Sequence, residues 1–356
     1  MGEKILMKGA EAVGEAAIKA GCRHFFGYPI TPQNEAPGYM SKRMPEVGGV
    51  FLQAESEVAA IHMLYGSAGA GFRVMTSSSS PGISLMSEGL SYIAGAELPV
   101  VIVNVMRGGP GLGGIGPAQA DYFQATKGGG HGDYRMVTLA PVNLQEQVDL
   151  MFDAFDIADK YRNPVMVLSD GLLGQIMEAV EFKREKKLDD FIAKPWAADG
   201  MKNRKKNLIS SFLLDCTDLE NHNIKIQKKY DEIKKNEIRY ESYHTDDAEV
   251  TVVAYGTMAR ICKTAVDHMR KEGMKVGMFR LISLWPFPEK QIEQIAKNPQ
   301  TKSLYVFELS AGQMVEDVHL YTHDLKPIHF HGRMGGNVPS IQEVIDKVKC
   351  VYEGVK

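Results

Sequence analysis

Short apolar segments of strand type alternate with longer segments of helical period along the chain, and this alternation sets its fold class. The strand-like segments of the first half are CRHFFGYPI, GGVFLQAES, FRVMTSSSS, PVVIVNVMR, RMVTLA and PVMVLSD. The helical segments between them are GAEAVGEAAIKAG, VAAIHMLYGSAGA, GISLMSEGLSYIAGA and LQEQVDLMFDAFDIADKY. Parallel strands need crossover connections, so this series predicts an α/β fold with a mostly parallel sheet and helices on both faces.

The alternation stops near Phe182 and resumes at EVTVVAYG, which predicts two domains. The 356 residues divide into a first α/β domain at 1–182, a charged linker at 183–248 and a smaller α/β domain at 249–356. The linker contains KREKKLDD and KIQKKYDEIKKNEIRYE, in which acidic and basic residues are interleaved. This pattern favours a solvated linker with one polar helix over a basic binding surface.

The composition excludes several classes of function. Hydrophobic residues make up 44% and charged residues 24% of the chain, with a formal net charge of −3. Such a balance gives no basic field for nucleic acid or for an anionic membrane. No apolar run reaches the roughly 18 residues that a membrane span needs. The N-terminus reads as a short strand and an amphipathic helix rather than a signal peptide, so we expect the protein in the cytosol.

The cysteines and histidines indicate no metal site in this chain. Cys22, Cys216, Cys262 and Cys350 are far apart and form no CxxC pair, so neither a zinc ribbon nor a ferredoxin-type cluster is expected. Reduced structural cysteines are the simpler interpretation. His329 and His331 alternate on a predicted strand without a third ligand nearby, which favours a structural pair.

Polar residues follow four of the strand-like segments of the first domain. GYPITPQNE holds Thr31 between two prolines, with a helix expected to open at Gln33 and Thr31 near its cap. The others are Glu57, the segment TSSSSPG (76–82) and Arg107. Each also has an ordinary structural explanation: a helix-dipole charge for Glu57, an N-cap at Ser80, and a solvated or paired charge for Arg107. Together, however, they lie where α/β sheets bind ligands.

The segment GLGGIG (111–116) fits the glycine pattern of dinucleotide-binding turns. Such a turn should open a helix at once and be followed by an acid about 20 residues later. Pro117 and a second glycine run follow instead. A glycine-rich loop over a ligand is therefore favoured, and an NAD-dependent dehydrogenase is the weaker alternative.

With these segments in register, the sequence resembles the alpha subunit of the 2-oxoacid:ferredoxin oxidoreductases, which depend on thiamine diphosphate. The motifs that carry the resemblance are Tyr28-Pro29-Ile30-Thr31-Pro32, Ser56-Glu57-Val58-Ala59-Ala60, the serine-rich turn Thr76 to Gly82, and Arg107. The resemblance implies a pyrimidine-binding first domain and a transketolase C-terminal-like second domain. One departure is Ser80, where many relatives carry glycine.

The resemblance also implies roles for these residues. Glu57 would be catalytic, since it would hydrogen-bond N1′ of the cofactor's aminopyrimidine and favour its imino tautomer. Thr31 and Arg107 would bind the 2-oxoacid, the arginine taking its carboxylate. Tyr28, Pro29, Ser78 and Ser79 would line the cofactor site. The implied reaction is the oxidative decarboxylation of a 2-oxoacid, with coenzyme A taking the acyl group and ferredoxin the electrons.

The resemblance further implies partner subunits. The diphosphate half of a thiamine diphosphate site is usually announced by a G-D-G segment and a later Asn, and this sequence has no G-D-G. We therefore expect a beta subunit to bring the diphosphate half and Mg²⁺, a ferredoxin-like subunit to bring iron–sulfur clusters, and a gamma subunit to complete the enzyme. The chain by itself is predicted to be inert.

The substrate predicted by the resemblance is branched-chain. RGGPGLGGIGPAQADYFQATKGGGHGDYR and AESEVAAIHMLYG are most similar to the 2-oxoisovalerate version of the subunit. The 2-oxoglutarate version stays open as the alternative, with Lys127 and Arg135 available as a second cation. A non-catalytic scaffold subunit is the alternative from another class, and it predicts that Glu57 and Arg107 are replaceable.

Overall fold

The apolar run Val101–Met106 forms a strand that is buried along its whole length, as expected at the centre of a parallel sheet. The computed structural model describes residues 4–186, 192–200 and 203–354. In it, this strand belongs to a seven-stranded sheet with the order β12-β6-β7-β5-β4-β2-β3. The strands are β2 (His24–Gly27), β3 (Val50–Gln53), β4 (Val74–Ser78), β5 (Val101–Met106), β6 (Val137–Leu139), β7 (Val165–Asp170) and β12 (Ser283–Trp285). Neighbours are parallel except β12, which is antiparallel to β6.

Helices cover both faces of this sheet, which confirms the predicted fold class. They are α1 (Gly9–Lys19), α2 (Glu35–Glu46), α3 (Glu57–Gly69), α4 (Ser80–Gly95), α5 (Tyr122–Thr126), α6 (Leu144–Tyr161) and α7 (Gly171–Gln175). One apolar cluster joins α3 and α4 to one face of the sheet, and a second joins α1 and α6 to the other. The strands β1 (Lys4–Lys8) and β8 (Met177–Glu181) form a separate antiparallel ribbon. We call the seven-stranded sheet with these helices the first domain.

The second domain has a five-stranded sheet with the order β14-β13-β10-β11-β9. Its strands are β9 (Tyr240–Tyr243), β10 (Val250–Tyr255), β11 (Val276–Leu281), β13 (Ser303–Glu308) and β14 (Ile328–Gly332), and only β9 is antiparallel. Its helices are α9 (Gly256–Lys271), α10 (Glu289–Lys297), α11 (Met314–Thr322) and α12 (Ile341–Gly354). The α/β alternation predicted to resume at EVTVVAYG is therefore present in this half.

The polar helix predicted in the linker is α8 (Cys216–Asn236), but it is not freely solvated. Its residues Ile226, Tyr230 and Ile233 are buried in the same apolar cluster as α1 and α6. One face of this helix therefore packs on the first domain, with the interleaved charges on the outside. The acidic end of KREKKLDD lies outside the described residues.

The two domains share one continuous core. The apolar cluster under α3 and α4 includes Tyr122 of the first domain and Tyr255 and Phe279 of the second. Gln119 ties the two sheets together: its side chain donates to the Tyr255 carbonyl (2.8 Å) and accepts from the Leu309 amide (3.0 Å). Within the described residues, no helix is long and apolar enough to cross a membrane.

Candidate functional site

The carboxyl ends of β2, β4 and β5 meet at one edge of the first sheet, because these strands are parallel neighbours. Thr31 follows β2, Ser78 ends β4 and Arg107 follows β5. Glu57 follows the edge strand β3 and is the first residue of α3. The structure therefore places all four sequence segments at one edge, and they can be considered as one candidate site.

Arg107 is buried at this edge, with 7% of its surface exposed. Its guanidinium donates to the carbonyl oxygens of Thr31 (2.7 Å) and Leu112 (3.1 Å). Its Nε has no hydrogen-bond partner among the described residues. No carboxylate of the described residues forms an ion pair with it. Neither ordinary explanation holds, since this arginine is neither solvated nor paired. A buried cation held only by neutral carbonyls is suited to a ligand carboxylate.

Thr31 is exposed, and its carbonyl, rather than its hydroxyl, contacts Arg107. The helix after it is shorter than predicted: α2 begins at Glu35 with Asn34 as N-cap, so Thr31 does not cap it. The intervening Gln33 is buried, and its side-chain oxygen accepts from the Ser77 hydroxyl at 2.6 Å. Thr31 lies in a 380 Å³ pocket that also contains Ile115 and Leu172.

Glu57 is 6% exposed and follows the N-cap Ser56, which accepts from the Ala59 amide at 3.2 Å. Its carboxylate lies against the first turn of α4. A Cβ at Gly82 would be 2.7 Å from Glu57 Oε1 and would also collide with Ser78 Oγ. Only glycine permits this approach. Among the described residues, none donates a hydrogen bond to the Glu57 carboxylate or forms an ion pair with it.

The serine-rich turn presents hydroxyls that lack partners. The buried side-chain oxygens of Thr76, Ser78 and Ser79 have no hydrogen-bond partner among the described residues. The predicted cap is displaced by one residue: α4 begins at Ser80, so Ser79 is the N-cap, and its side chain makes no capping bond. Buried polar groups usually have a hydrogen-bond partner, and several hydroxyls without one at the same sheet edge are typical of a binding site for a polar ligand.

Tyr28 and Pro29, the other predicted cofactor-site residues, are exposed directly after β2. Within the described part of the chain, no hydrogen bond joins them to Glu57 or to the serine-rich turn. The structure therefore puts them at the same sheet edge without a contact of their own in the site.

Sequence reasoning missed a polar group beside Arg107. Ser80 Oγ accepts from the Arg107 amide (3.1 Å) and donates to Asp121 Oδ2 (2.6 Å), which also accepts from Asn104 Nδ2 (2.9 Å). Burial raises the pKa of Asp121, and the hydrogen bonds from Ser80 and Asn104 oppose that rise. Asp121 follows PAQA in PAQADYF, where Gln119 and Asp121 form a polar interruption before a buried helix, and this pattern could have indicated the acid.

A cavity of about 710 Å³ separates the two domains at this point, lined by Arg107, Asp121 and Ser80 on one side and by Leu309 and Met334 on the other. The glycine-rich loop borders it. No helix opens after Gly116; instead the loop folds back, with the Gly108 amide bonded to the Gly116 carbonyl at 3.0 Å. This is not the geometry of a dinucleotide-binding turn.

The remaining candidates are not at the site. Lys127 pairs with Asp317, and Arg135 donates to the carbonyls of Lys127 and Tyr134, so neither faces the cavity beside Arg107. His331 Nε2 donates to the carboxylate of Glu343 at 2.8 Å. In the described ranges, no group of three or more His, Cys, Asp and Glu side chains could hold a metal ion.

Comparisons with known proteins agree across the whole chain. Residues 15–255 match the family model "Pyruvate flavodoxin/ferredoxin oxidoreductase, thiamine diP-bdg", and residues 248–344 match "Pyruvate:ferredoxin oxidoreductase core domain II". The ketoisovalerate oxidoreductase subunit VorB of Methanothermobacter marburgensis is 48% identical over 97% of both chains. The 2-oxoglutarate synthase subunit KorA of the same organism is 34% identical over 98% of this chain and 99% of its own.

A solved structure is similar over the full length. The 2-oxoglutarate:ferredoxin oxidoreductase from Magnetococcus marinus, solved with 2-oxoglutarate, coenzyme A and succinyl-CoA bound, superposes with a TM-score of 0.86 at 26% identity. The match covers 100% of this chain and 66% of that one. With both domains matched in this way, the chain belongs to the thiamine diphosphate-dependent 2-oxoacid:ferredoxin oxidoreductases and is a subunit of such an oxidoreductase.

Proposed function

We propose that this chain supplies the pyrimidine half of a thiamine diphosphate site and binds a branched-chain 2-oxoacid there, for CoA-dependent oxidative decarboxylation. The observation that carries the proposal is the burial of two charged residues at one edge of the first sheet. Glu57 and Arg107 are both nearly inaccessible, and neither has an ion-pair partner among the described residues. Buried charges without partners are costly, and functional sites are where proteins retain them.

The residues at the edge fit the aminopyrimidine of the cofactor. Glu57 offers a carboxylate to which no described residue donates a hydrogen bond, and Ser78 and Ser79 offer unpartnered hydroxyls that can donate or accept. Gly82 leaves room beside the carboxylate. When bound, thiamine diphosphate supplies a carbon nucleophile and an electron sink. The part of Glu57 is to hold and exchange a proton with a ring nitrogen, which a buried carboxyl group can do.

The substrate carboxylate is assigned to Arg107. Its guanidinium is already oriented by the carbonyls of Thr31 and Leu112, so little rotamer entropy is lost when a carboxylate binds. The same hydrogen bond fixes the Thr31 backbone. The exposed Thr31 side chain is then available to a second substrate oxygen, and holding reacting groups in place is a large part of catalysis.

The charges around the site favour a monocarboxylate. Among the described residues that line the 710 Å³ cavity, Arg107 is the one cation, and Asp121 is the one acid. The pocket of Thr31 contains Glu35 but no cation. Among the described residues of these two pockets, the second carboxylate of 2-oxoglutarate would find no further cation, and Lys8, which lies 3.5 Å from Glu35, is already paired with that acid. The relative named as a ketoisovalerate oxidoreductase subunit supports the same choice.

Partner subunits are part of the proposal. The helix α3 has no ionisable residue other than Glu57, His62 and Tyr65, yet Val58 is 41% exposed; on the neighbouring helix α4, Leu85 is 54% exposed. A helix that is apolar on all sides is normally buried. We assign this surface to a beta subunit that brings the diphosphate half with Mg²⁺. Gamma and ferredoxin-like iron–sulfur subunits would pass the electrons to ferredoxin.

The cellular location of the enzyme is proposed from the state of its cysteines. All four cysteines are free thiols, which is typical of a reducing compartment, so we place the complex in the cytosol.

The domain limits at 182 and 249 stay predictions. Two family models that meet at residues 248–255 support the second of these limits.

The substrate proposal is tested by comparing kcat/KM of the purified complex on 2-oxoisovalerate, pyruvate and 2-oxoglutarate, with viologen as electron acceptor. We expect 2-oxoisovalerate to be used best, by at least about tenfold over 2-oxoglutarate, because one unpaired carboxylate in an acidic pocket costs more than 1.4 kcal/mol. A preference for 2-oxoglutarate would overturn the assignment and leave the family unchanged.

A further inference from the structure

Ser80 connects an acid to the backbone of the arginine that binds the substrate. The Arg107 amide donates to Ser80 Oγ at 3.1 Å, and Ser80 Oγ donates to Asp121 Oδ2 at 2.6 Å. With its one proton committed to the carboxylate, the hydroxyl has a lone pair directed at the amide. The carboxylate thus determines the direction of the serine hydroxyl, and the hydroxyl holds the arginine backbone.

Asp121 is itself held in place. The same oxygen, Oδ2, accepts a second hydrogen bond from Asn104 Nδ2 at 2.9 Å, and Asn104 is fully buried in β5. The loop that carries Asp121 is attached to the second domain on both sides: Gln119 and Ala120 are bonded before the acid, and the Phe123 amide after it donates to the Gln313 side chain at 2.8 Å, which itself donates to the Ala120 carbonyl at 2.7 Å. The acid is therefore fixed by both domains.

Asp121 does not neutralise Arg107. The two residues line the same cavity, yet they form no ion pair, and among the described residues the guanidinium bonds only to the carbonyls of Thr31 and Leu112. The acid contacts the backbone side of residue 107 through Ser80 and leaves the charged end free. This arrangement positions a cation without removing its charge.

We propose that Asp121 and Ser80 are positioning residues that fix Arg107 for the substrate carboxylate. The inference rests on the proposed role of Arg107. Because the guanidinium is attached to a backbone that these hydrogen bonds hold, loss of either residue loosens the cation and weakens substrate binding. The chemical step, which involves Glu57 and the cofactor, is left intact.

The test is the steady-state kinetics of the assembled complex with 2-oxoisovalerate, for Ser80→Ala, Asp121→Ala and the double variant. We expect KM for the oxoacid to rise about five- to tenfold in each single variant, with kcat changed less than about twofold, as for the loss of one buried hydrogen bond. The double variant should be no worse than the poorer single variant, since both act on one chain of hydrogen bonds.

Conservative variants and a matched control separate positioning from damage to the fold. Ser80→Thr keeps the hydroxyl and Asp121→Asn keeps an acceptor oxygen, so both should recover most of the wild-type KM. Ser87→Ala removes a hydroxyl about two turns along α4 that bonds to the Ile83 carbonyl at 3.4 Å and does not line this cavity, so it should change KM less than about twofold.

The result that overturns the inference is an unchanged KM in Ser80→Ala and Asp121→Ala, or full additivity in the double variant. Arg107→Ala, measured alongside, distinguishes the two proposals. If Arg107→Ala raises KM while Ser80→Ala and Asp121→Ala do not, only the proposed positioning role of Ser80 and Asp121 fails. If Arg107→Ala itself leaves KM unchanged, the carboxylate assignment fails with it.

Discussion

At the scale of single residues, the site depends on two charges whose surroundings differ from those of an ordinary surface. Glu57 is 6% and Arg107 is 7% exposed, and the protein gives each of them polar neighbours that do not neutralise it. For Glu57 these are the Ser78 hydroxyl and the first turn of α4. A charge kept in this state is available to a ligand, which is the basis for treating both residues as functional.

Glu57→Gln should abolish turnover while the complex still assembles. The amide is nearly isosteric with the carboxylate but cannot share a proton with a ring nitrogen, so we expect kcat to fall by about two to four orders of magnitude. The measurement is oxoacid-dependent viologen reduction by the assembled complex. Glu55→Gln, an exposed carboxylate two residues earlier, is the control. Near-normal kcat in assembled Glu57→Gln would remove this residue from the mechanism and favour the scaffold alternative.

At the scale of elements, the site is built where α3 and α4 begin. Gly82 allows the first turn of α4 to approach the carboxylate of the residue that opens α3. Both helix N-termini thereby lie beside the same buried carboxylate, and the positive end of each dipole favours its charge. The spacing of these two helices therefore controls the position of Glu57.

Gly82→Ala should displace Glu57 without unfolding the chain. The added methyl group would be 2.7 Å from Glu57 Oε1, so either the carboxylate or the turn must move. We expect affinity for thiamine diphosphate in the assembled complex to fall about tenfold or more, since misplaced active-site groups lose their binding geometry. Gly38→Ala, a helical glycine with open space around it, is the matched control. Equal cofactor affinity in both variants would show that this contact does not position Glu57.

The helix α8 gives a prediction about pH. Burial lowers the pKa of Lys229 to about 8 from its ordinary value of 10.5, against the attraction of Glu97, and the amine donates to the Arg162 carbonyl at 3.1 Å. Between about pH 8 and pH 10.5, Lys229 is protonated in the unfolded chain but not in the native chain. The unfolded state then binds more protons, so the free energy of unfolding rises with pH across this window.

Relative to Lys229→Met, the wild-type chain should therefore gain stability between about pH 8 and pH 10.5, by at most about 3.5 kcal/mol at about 1.4 kcal/mol for each pKa unit. The measurement is the difference in melting temperature between the two chains at pH 7, 8, 9 and 10. Lys228→Met, at an exposed neighbouring position, is the control. A difference that stays constant over the window would mean that α8 does not pack on the first domain.

The βα alternation predicted the two sheets because each strand and helix carries its own period, as in the buried run of β5. It could not predict that β12, from the second half of the chain, joins the first sheet, since strand pairing at this distance depends on tertiary contacts. The prediction placed the start of α2 at Gln33, but the helix begins at Glu35. The side chain of Gln33 instead accepts a hydrogen bond from Ser77, a contact that is distant along the chain. Four strand ends were visible in the sequence; the partners of Ser80 were not, because Asn104 and Asp121 are distant along the chain.

At the scale of the whole molecule, the two domains form one body with an open apolar surface. The shared core and the Gln119 bridge hold the sheets together. The outer faces of α3 and α4 stay uncovered, and the glycine-rich loop carries Leu112 and Ile115, which are 85% and 63% exposed. Exposed apolar side chains grouped around a site indicate an interface, and we assign this one to the subunit that completes the cofactor site.

The central claim is that the cofactor site is divided between this chain and a partner. Calorimetric titration of thiamine diphosphate with Mg²⁺ tests it directly, performed on the purified chain and on the complex assembled with its partner subunits. We predict no saturable binding to the chain alone and tight binding to the complex, because the sequence has no G-D-G segment and no group of three or more His, Cys, Asp and Glu side chains among the described residues could hold the metal. Tight binding of thiamine diphosphate by the chain alone would contradict the divided site.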